Sequence, residues 1–312
     1  MTMTDPVRLL YICGAGRSGT TLLGHLVAGL PDVRFLGEAY YLADRGLAEN
    51  RACGCGAAFA RCGFWQEAMR RAFGGAEAAR RRLPVGRRRW MANLRYLRDR
   101  LLGRRGAGPF AGFEQMAVYA AAVGVGDGVD APLVVDSSKN AFYGYALAQS
   151  GAYDLRAAHV VRDPRGVVHS WRKTLRLPDV RDREEFMPRY GVVKGALYWM
   201  FMNLTAEALL HRRGRYVRVA YEDLVSDPVA TLGRLATFLR RPMPVAAAAA
   251  DPTRSHCLSG NPLSFRQGEI TVRPDVEWHG GLPRRDAWLV TVLTLPLLLR
   301  YGYPLIPPGP AP

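Results

Sequence analysis

The residues best suited to chemistry form a glycine-rich stretch near the N-terminus, at 14–21. Gly14 and Gly19 have the spacing of the two glycines in the phosphate-binding pattern GxxxxGK[ST], and Thr21 supplies its hydroxyl. Thr20 stands where that pattern has lysine, so no ammonium group reaches the outer phosphates of a nucleoside triphosphate. Backbone amides at a helix start still attract an anion. The stretch therefore predicts a loop for a nucleotide other than ATP.

Arg17 is the one cation within this loop. Its guanidinium is a planar fork of donors that suits a phosphate or a sulfate group. The stretch resembles the 5′-phosphosulfate loop of the P-loop sulfotransferases, whose donor is 3′-phosphoadenosine 5′-phosphosulfate (PAPS). The resemblance implies that the donor is bound by Gly14, Gly16, Arg17, Ser18, Gly19, Thr20 and Thr21. A tight strand-to-helix turn without a ligand is the simpler alternative.

A second segment, 157–173, has the same strand-then-turn layout, with Arg162 at the strand end and Ser170 eight residues later. Asp163 suits a helix cap and Pro164 a first helical turn, which places Ser170 about two turns into the helix. Arg162 and Ser170 resemble the residues that hold the 3′-phosphate of PAPS in this family. An ordinary strand-to-helix junction with exposed polar residues is the alternative.

A third segment, 264–278, resembles a late loop of the cytosolic sulfotransferases. The resemblance implies that Arg266 and the backbone amide of Gly268 complete the site for the 3′-phosphate. Gln267 stands where the family has a lysine, so this chain has one cation fewer at that position.

Sulfuryl transfer to a hydroxyl needs a base for the acceptor proton. Glu38 ends the segment 31–38, PDVRFLGE, which resembles the segment that carries the catalytic glutamate of tyrosylprotein sulfotransferases. We therefore predict Glu38 as the general base and His25 as the alternative base. A glutamate that only caps a helix would have the same sequence position.

The transfer also needs cations that absorb the charge developing on the bridging oxygen. Lys139 is one of only three lysines among 43 basic residues, and it follows a hydrophobic stretch typical of a buried strand. In the family a lysine lies against the leaving phosphate or sulfate. The resemblance implies that Arg17 and Lys139 share this charge, and that Ser137 or Ser138 donates a further hydrogen bond. A solvated loop lysine is the alternative.

The implied reaction is an in-line displacement that releases adenosine 3′,5′-bisphosphate. No metal is expected, because the leaving group is already a good anion and no Walker B aspartate is found. The acceptor stays open: the hydroxyl of a small molecule, a lipid-linked molecule, a sugar or a peptide could attack. A P-loop nucleotide kinase or NTPase is the runner-up, which Mg²⁺-dependent ATP binding would favour.

The elements that must position these residues are five candidate strands, at 8–13, 33–36, 132–136, 157–161 and 215–220. Stretches long enough for crossover helices separate them, so we predict an α/β fold: a P-loop-type doubly wound parallel sheet flanked by helices. One sulfotransferase domain is expected over 1–306, with a basic helical insertion at about 43–130 and a disordered tail at 307–312. The apolar run 288–305, interrupted by Pro296, predicts a buried closing helix.

The segment 70–105 makes the chain basic. It contains thirteen arginines and only two acidic residues, which gives +11 of the chain's net charge of +16. Apolar residues at roughly helical spacing predict an amphipathic helix. An acidic or lipid-linked acceptor and an anionic membrane surface are candidate partners, and a merely solvated helix is the alternative. Nucleic acid is disfavoured, because no nucleic-acid-binding motif accompanies the charge.

Three of the five cysteines, Cys53, Cys55 and Cys62, lie close together in the chain. Their spacing matches no standard zinc pattern, and a fourth ligand would have to come from elsewhere, such as His256 or Cys257. A structural metal, a disulfide and free thiols all stay open. Because the first residues do not form a secretion leader, we expect a cytoplasmic protein.

Overall fold

The computed structural model describes residues 6–30, 32–83, 85–86, 91, 95, 98–99, 102–104, 133–212, 214–241, 256–259, 261–265 and 270–309. Within these ranges a single parallel sheet has the strand order β2-β3-β1-β4-β5. The strands are β1 (Val7–Cys13), β2 (Val33–Phe35), β3 (Leu133–Lys139), β4 (Tyr153–Val161) and β5 (Tyr216–Ala220). All five predicted strands are present, and the largest difference is the earlier start of β4.

Helices follow the strands and cover both faces of the sheet, which confirms the predicted α/β class. They are α1 (Thr20–Ala28), α2 (Gly63–Phe73), α3 (Ala76–Arg82), α4 (Ala141–Gln149), α5 (Pro164–Arg172), α6 (Val192–Leu210), α7 (Tyr221–Ser226), α8 (Pro228–Leu239), α9 (Trp278–Gly281) and α10 (Arg284–Tyr301). Short 3₁₀ helices lie at Ala39–Tyr41, Phe59–Arg61 and Pro262–Phe265, and a π-helix at Leu42–Ala48.

The central strand β1 is hydrophobic along most of its length because both faces of the sheet are buried. Leu9 and Tyr11 face one apolar cluster, whereas Leu10 and Ile12 face the other, as the two-residue repeat of a strand requires. All four are at most 1% exposed. The strand therefore anchors the glycine-rich loop that follows it between two packed layers.

The strand order places the predicted site residues at one edge of the sheet. β3 and β4 lie on opposite sides of β1, so the chain connections diverge at the carboxyl end of β1. In open parallel sheets, ligands bind in the crevice at such a switch point. Arg17, Lys139 and Arg162 all follow or end one of these three strands.

The predicted insertion at 43–130 is integrated into the core where the structure describes it. Phe59, Trp65 and Met69 are at most 2% exposed and belong to the cluster that covers one face of β1. These residues are hydrophobic and well packed, so this part of the chain completes the main domain. Residues 105–132 lie outside the described residues.

The single helix predicted over 70–105 is wrong at its start. Helix α2 ends at Phe73, and α3 begins at Ala76 after two glycines with φ values of 81° and 132°. That left-handed backbone is accessible to glycine and breaks a helix. Most of the apolar residues on which the prediction depended lie outside the described residues.

The closing helix α10 is only partly buried, contrary to the prediction of a buried helix. Val290 and Leu298 are fully buried, but Val292 is 67% and Leu299 61% exposed. Only one side of α10 packs against the neighbouring helices, so its opposite side faces outward. Among the described residues, no helix is both long and apolar enough to cross a bilayer. Pro307 is buried and 310–312 lie outside the described residues, so the disordered tail at 307–312 stays a prediction.

Candidate functional site

The loop between β1 and α1 requires glycine at two positions. Gly14 has φ 129°, and a Cβ there would lie 2.2 Å from the carbonyl oxygen of Val160. Gly19 has φ 90° and caps α1, and a Cβ there would lie 2.5 Å from the ring of Tyr221. Because neither position accepts a side chain, the loop backbone can stay close to β4 and present its amides at the start of α1.

Arg17 has the arrangement expected of an anion-binding side chain. It is 8% exposed, and its three guanidinium nitrogens have no hydrogen-bond partner among the described residues. The guanidinium lies 5.0 Å from the centre of the Trp171 ring, a cation–π distance. Burial lowers the pKa of Arg17, yet an arginine stays protonated in proteins. A buried cation without partners is costly, and an anion in the loop would satisfy its donors.

A cavity of about 610 Å³ opens beside this loop, which is large enough for a small-molecule ligand. Most of the residues predicted for the site line it together: Gly16, Arg17, Gly19, Thr20, Thr21, Glu38, Lys139, Arg162 and Ser170. Gly14 and Ser18 do not line it. Gly14 packs against β4, and the side chain of Ser18 is fully buried below the loop.

Glu38 and Lys139 meet at the wall of this cavity. The Lys139 amino group donates hydrogen bonds to a carboxylate oxygen of Glu38 and, at 3.2 Å, to the carbonyl oxygen of Ser137. Arg45 lies 3.9 Å from the other carboxylate oxygen of Glu38. The backbone N–H of Glu38 donates to the carbonyl oxygen of Leu258 at 2.9 Å. The carboxylate is thus held between two cations, at 7% exposure of the residue.

Two predicted roles are wrong because the groups concerned are used within the protein. The Ser137 hydroxyl donates to the carbonyl oxygen of Gly37 at 3.2 Å, and the Ser138 hydroxyl donates to Asp136. Neither serine lines the cavity.

His25, the alternative base, is 1% exposed and faces away from the cavity. Its ring lies 3.1 Å from the Ser264 hydroxyl and packs edge-on against Phe35. Burial lowers the pKa of His25 to about 4. It therefore has no route to an acceptor in the cavity.

Two of the four residues predicted to bind the 3′-phosphate, Arg162 and Ser170, line the same cavity. The Asp163 carboxylate accepts from the backbone N–H of Arg165 at 2.9 Å, which confirms the predicted cap of α5. One guanidinium nitrogen of Arg162 donates to the Asp275 carboxylate at 2.9 Å, and the other to the carbonyl oxygen of Arg17 at 3.2 Å. Ser170 lines the same cavity. The predicted contributors Arg266 and Gly268 lie outside the described residues.

Sequence reasoning missed an aromatic wall of the cavity. The rings of Trp171 and Tyr190 stack at 4.4 Å, and Tyr198 contacts both of them edge-on. Tyr221 also lines the cavity, and its ring centre lies 4.4 Å from the guanidinium carbon of Arg162. The position of Trp171 directly after Ser170 on α5 was the one local signal. Tyr190, just before α6, and Tyr198, within it, belong to no sequence motif that would have predicted their place in the cavity.

Asp136 is a buried carboxyl that the sequence interpretation did not treat as a site residue. It ends the hydrophobic part of β3, which lies beside β1 in the sheet. Its carboxylate accepts from the backbone N–H of Ser138 at 2.7 Å and from the Ser138 hydroxyl. Burial raises the pKa of Asp136 to about 7. It does not line the cavity, so it has no access to a ligand there.

Residues 139–244, about one third of the chain, match the model of the sulfotransferase family. The match includes Lys139, Arg162 and Ser170 and ends before the third predicted loop. Over this stretch the chain is similar to the family that the sequence motifs resemble, and the similarity supports a transferase. None of the curated proteins matches the chain.

Several solved sulfotransferases are similar in structure. The sulfotransferase domain from the Synechococcus PCC 7002 olefin synthase is 18% identical, with 97% of this chain and 98% of that chain covered and a TM-score of 0.49. The sulfotransferase domain from the curacin biosynthetic pathway is 16% identical, with 96% and 99% covered and a TM-score of 0.48. A sulfotransferase from Alicyclobacillus acidocaldarius is 13% identical, with 96% and 97% covered and a TM-score of 0.44.

Proposed function

We propose that the protein transfers a sulfuryl group from PAPS to the hydroxyl of an acceptor, with Glu38 as the general base. The observation that carries the proposal is Arg17: a buried guanidinium that has no hydrogen-bond partner in the part of the chain that the structure describes, next to a loop of backbone amides. The same cavity is lined by Glu38 and Lys139, so an anion at the loop would lie beside a base and a second cation.

The residues present fit the two anionic ends of PAPS. The loop and Arg17 suit the 5′-phosphosulfate, and Arg162 with Ser170 suits the 3′-phosphate. Asp275 now accepts a hydrogen bond from Arg162, and a 3′-phosphate would compete with it for that donor. In the transfer, the acceptor oxygen forms a bond to sulfur, the bond from sulfur to the 5′-phosphate breaks, and adenosine 3′,5′-bisphosphate leaves.

Glu38 would accept the proton of the acceptor hydroxyl at its carboxylate. Lys139 fixes the orientation of this carboxylate by its hydrogen bond, and Arg17 and Lys139 together offset negative charge that develops on the leaving oxygen. Tyr190 and Tyr198 line the cavity with apolar neighbours, so the acceptor body would contact aromatic surface. We therefore keep small-molecule, lipid-linked, sugar and peptide hydroxyls as acceptor classes, and favour those with an apolar or aromatic body.

Donor binding can be tested by thermal unfolding with adenosine 3′,5′-bisphosphate, 5′-AMP, ADP and Mg²⁺-ATP as ligands. A ligand at about 100 times its Kd stabilises the folded protein by about 2.7 kcal/mol, which raises Tm by several degrees. We expect the largest rise with the bisphosphate. A larger rise with Mg²⁺-ATP would support the kinase or NTPase alternative and overturn the proposal.

The matched variants for this test are Arg17→Ala and Arg81→Ala. Arg81 is an exposed arginine on α3 whose ion-pair partner, Glu77, is also exposed. We expect Arg17→Ala to lose most of the Tm shift and Arg81→Ala to keep it. Equal shifts in the two variants would show that the loop does not hold the nucleotide.

A further inference from the structure

Four side chains with metal-ligand atoms converge at a place distant in the chain from the glycine-rich loop. Cys53, Cys55, Cys62 and His256 place three sulfurs and one ring nitrogen within 4.8 Å of one another. Cys53 and Cys62 are buried, and Cys55 is the more exposed thiol. The sequence left His256 and Cys257 as candidates for a fourth ligand, and the fold brings His256 to the cluster.

Four of the six separations between ligand atoms in this cluster are close to the edges of a zinc tetrahedron, and the other two are at most 4.8 Å. Bond lengths of about 2.3 Å to sulfur and about 2.0 Å to nitrogen imply about 3.8 Å between two sulfurs and about 3.5 Å between sulfur and nitrogen. The Cys62 sulfur lies 3.7 Å from that of Cys53, 3.8 Å from that of Cys55 and 3.3 Å from Nδ1 of His256. Nδ1 lies 3.8 Å from the sulfur of Cys53. A disulfide would instead need about 2.05 Å between two sulfurs.

The backbone holds the cysteines of this cluster in place through its own hydrogen bonds. A tight turn joins Cys53 and Gly56, since the Gly56 N–H donates to the carbonyl oxygen of Cys53 at 2.9 Å. Cys62 directly precedes α2, and its carbonyl oxygen accepts from the backbone N–H of Gln66 at 2.9 Å. These backbone contacts bring the three thiols close together, and none of the three cysteines forms a disulfide.

The histidine is fixed from two sides. The indole N–H of Trp65 donates to the backbone carbonyl oxygen of His256 at 3.0 Å. The ring of Phe64 stacks on the imidazole with 4.6 Å between centres, so the ring plane is set and Nδ1 points at the thiols.

We propose that Cys53, Cys55, Cys62 and His256 bind one Zn²⁺ ion in a closed, four-coordinate structural site. Three thiolates and one imidazole are a ligand set typical of structural zinc, and they leave no open position for a substrate. Binding displaces the thiol protons to solvent, so the site carries a net charge of about −1 in its zinc form.

The proposed zinc site lies next to the segment that holds the backbone of Glu38. His256 is two residues from Leu258, whose N–H donates to the carbonyl oxygen of Leu36 at 3.0 Å and whose carbonyl oxygen accepts from the N–H of Glu38 at 2.9 Å. Leu258 also bridges to Cys53. The zinc ion joins the loop of the cysteines to the segment that holds the backbone of Glu38, so it fixes the glutamate without touching the cavity.

The first test measures the metal content of protein purified without chelators, by elemental mass spectrometry. We expect about one zinc per chain, and cobalt in its place is expected to give the visible absorption of a tetrahedral cobalt–thiolate site. His256→Ala and Cys55→Ser are expected to lose the metal. Cys257→Ser is the matched control, since the Cys257 thiol points to Ser264 at 3.6 Å and is outside the cluster.

The outcomes of this test are decisive in both directions. Zinc at background level in the wild-type protein, together with no cobalt absorption after reconstitution under reducing conditions, would overturn the proposal. So would a disulfide among the three cysteines in the freshly purified protein, or equal metal content in Cys55→Ser and Cys257→Ser. Cys55 is the exposed ligand, so its serine variant is the one expected to remain folded.

The second test follows backbone hydrogen exchange with and without zinc, and it does not depend on the proposed sulfuryl transfer. We expect removal of the metal to lower Tm and to speed exchange at the amides of Glu38 and Leu258. Exchange at the amides of strand β4 (Tyr153–Val161) should stay the same. Unchanged exchange at these two amides after loss of zinc would show that the ion does not support the glutamate.

Discussion

The amino group of Lys139 donates a hydrogen bond to the carboxylate of Glu38 across 101 positions of the chain. The pair forms because β2 and β3 are neighbours, so the residue that ends β3 lies beside the turn that follows β2. Lys139 has a left-handed backbone at φ 66°, a conformation that is uncommon for a non-glycine residue. Such strain is concentrated at functional sites, which supports the catalytic role that we propose for the pair.

Glu38→Gln should separate chemistry from donor binding. The amide keeps the size of the side chain but cannot accept a proton, so we expect kcat to fall by about 10²–10⁴-fold. The Kd for adenosine 3′,5′-bisphosphate should change little. Initial rates and a ligand titration measure the two quantities. The control is Glu77→Gln, at an exposed glutamate on α3; near-normal turnover in Glu38→Gln would move the base to another residue.

Lys139→Met should lower kcat by about 10²–10³-fold, because it removes a cation from the transition state and the partner of Glu38. Rates at saturating donor report the effect. Lys173→Met is the matched control: Lys173 pairs with Glu277, and neither residue lines the cavity. A rise in the donor KM with unchanged kcat would show that Lys139 only binds the ground state.

The loop around Arg17 and the cap of α5 could be predicted from the sequence because each depends on residues close in the chain. Gly14 and Gly19 mark a backbone that excludes side chains, and Asp163 with Pro164 marks a helix start. Strand positions were predictable for the same reason, since an apolar run bounded by turns is a local signal.

The contacts that complete the site join distant parts of the chain and could not be predicted. Arg162 and Asp275 are 113 positions apart in the chain, and no local pattern encodes their contact. The roles predicted for Ser137 and Ser138 were wrong for a related reason. Both residues directly precede the cavity residue Lys139, but their hydroxyls donate to acceptors within the protein, the Gly37 carbonyl oxygen and the Asp136 carboxylate.

Asp275→Asn should tighten the binding of adenosine 3′,5′-bisphosphate several-fold and change 5′-AMP binding much less. The carboxylate occupies a donor of Arg162 and adds negative charge near the predicted place of the 3′-phosphate. Calorimetric titration of both nucleotides measures the difference. In Arg162→Gln, the preference for the bisphosphate should be largely lost. If Asp275→Asn changes both affinities equally, the 3′-phosphate does not lie at Arg162.

Asp136→Asn should change how stability depends on pH. Burial raises the pKa of Asp136 from an ordinary 3.8 to about 7, so between these values the folded protein binds more protons at this site than the unfolded chain. The contribution of Asp136 to stability therefore falls as pH rises through that window. Asparagine does not ionise, and its carbonyl oxygen can still accept from Ser138.

The comparison that isolates this effect is the Tm of Asp136→Asn minus the Tm of the wild type, measured at pH 5 and at pH 8. Burial also lowers the pKa values of His25 and His159 to about 4, which makes stability rise with pH from about 4 to 6.5, but both histidines are present in both proteins and cancel in the difference. We expect the difference to be more positive at pH 8, by an amount on the order of 1–3 kcal/mol in stability. A difference that is independent of pH would show that Asp136 is already ionised at pH 5. That result would mean that the positive charge of nearby Lys139 outweighs the cost of burial at Asp136.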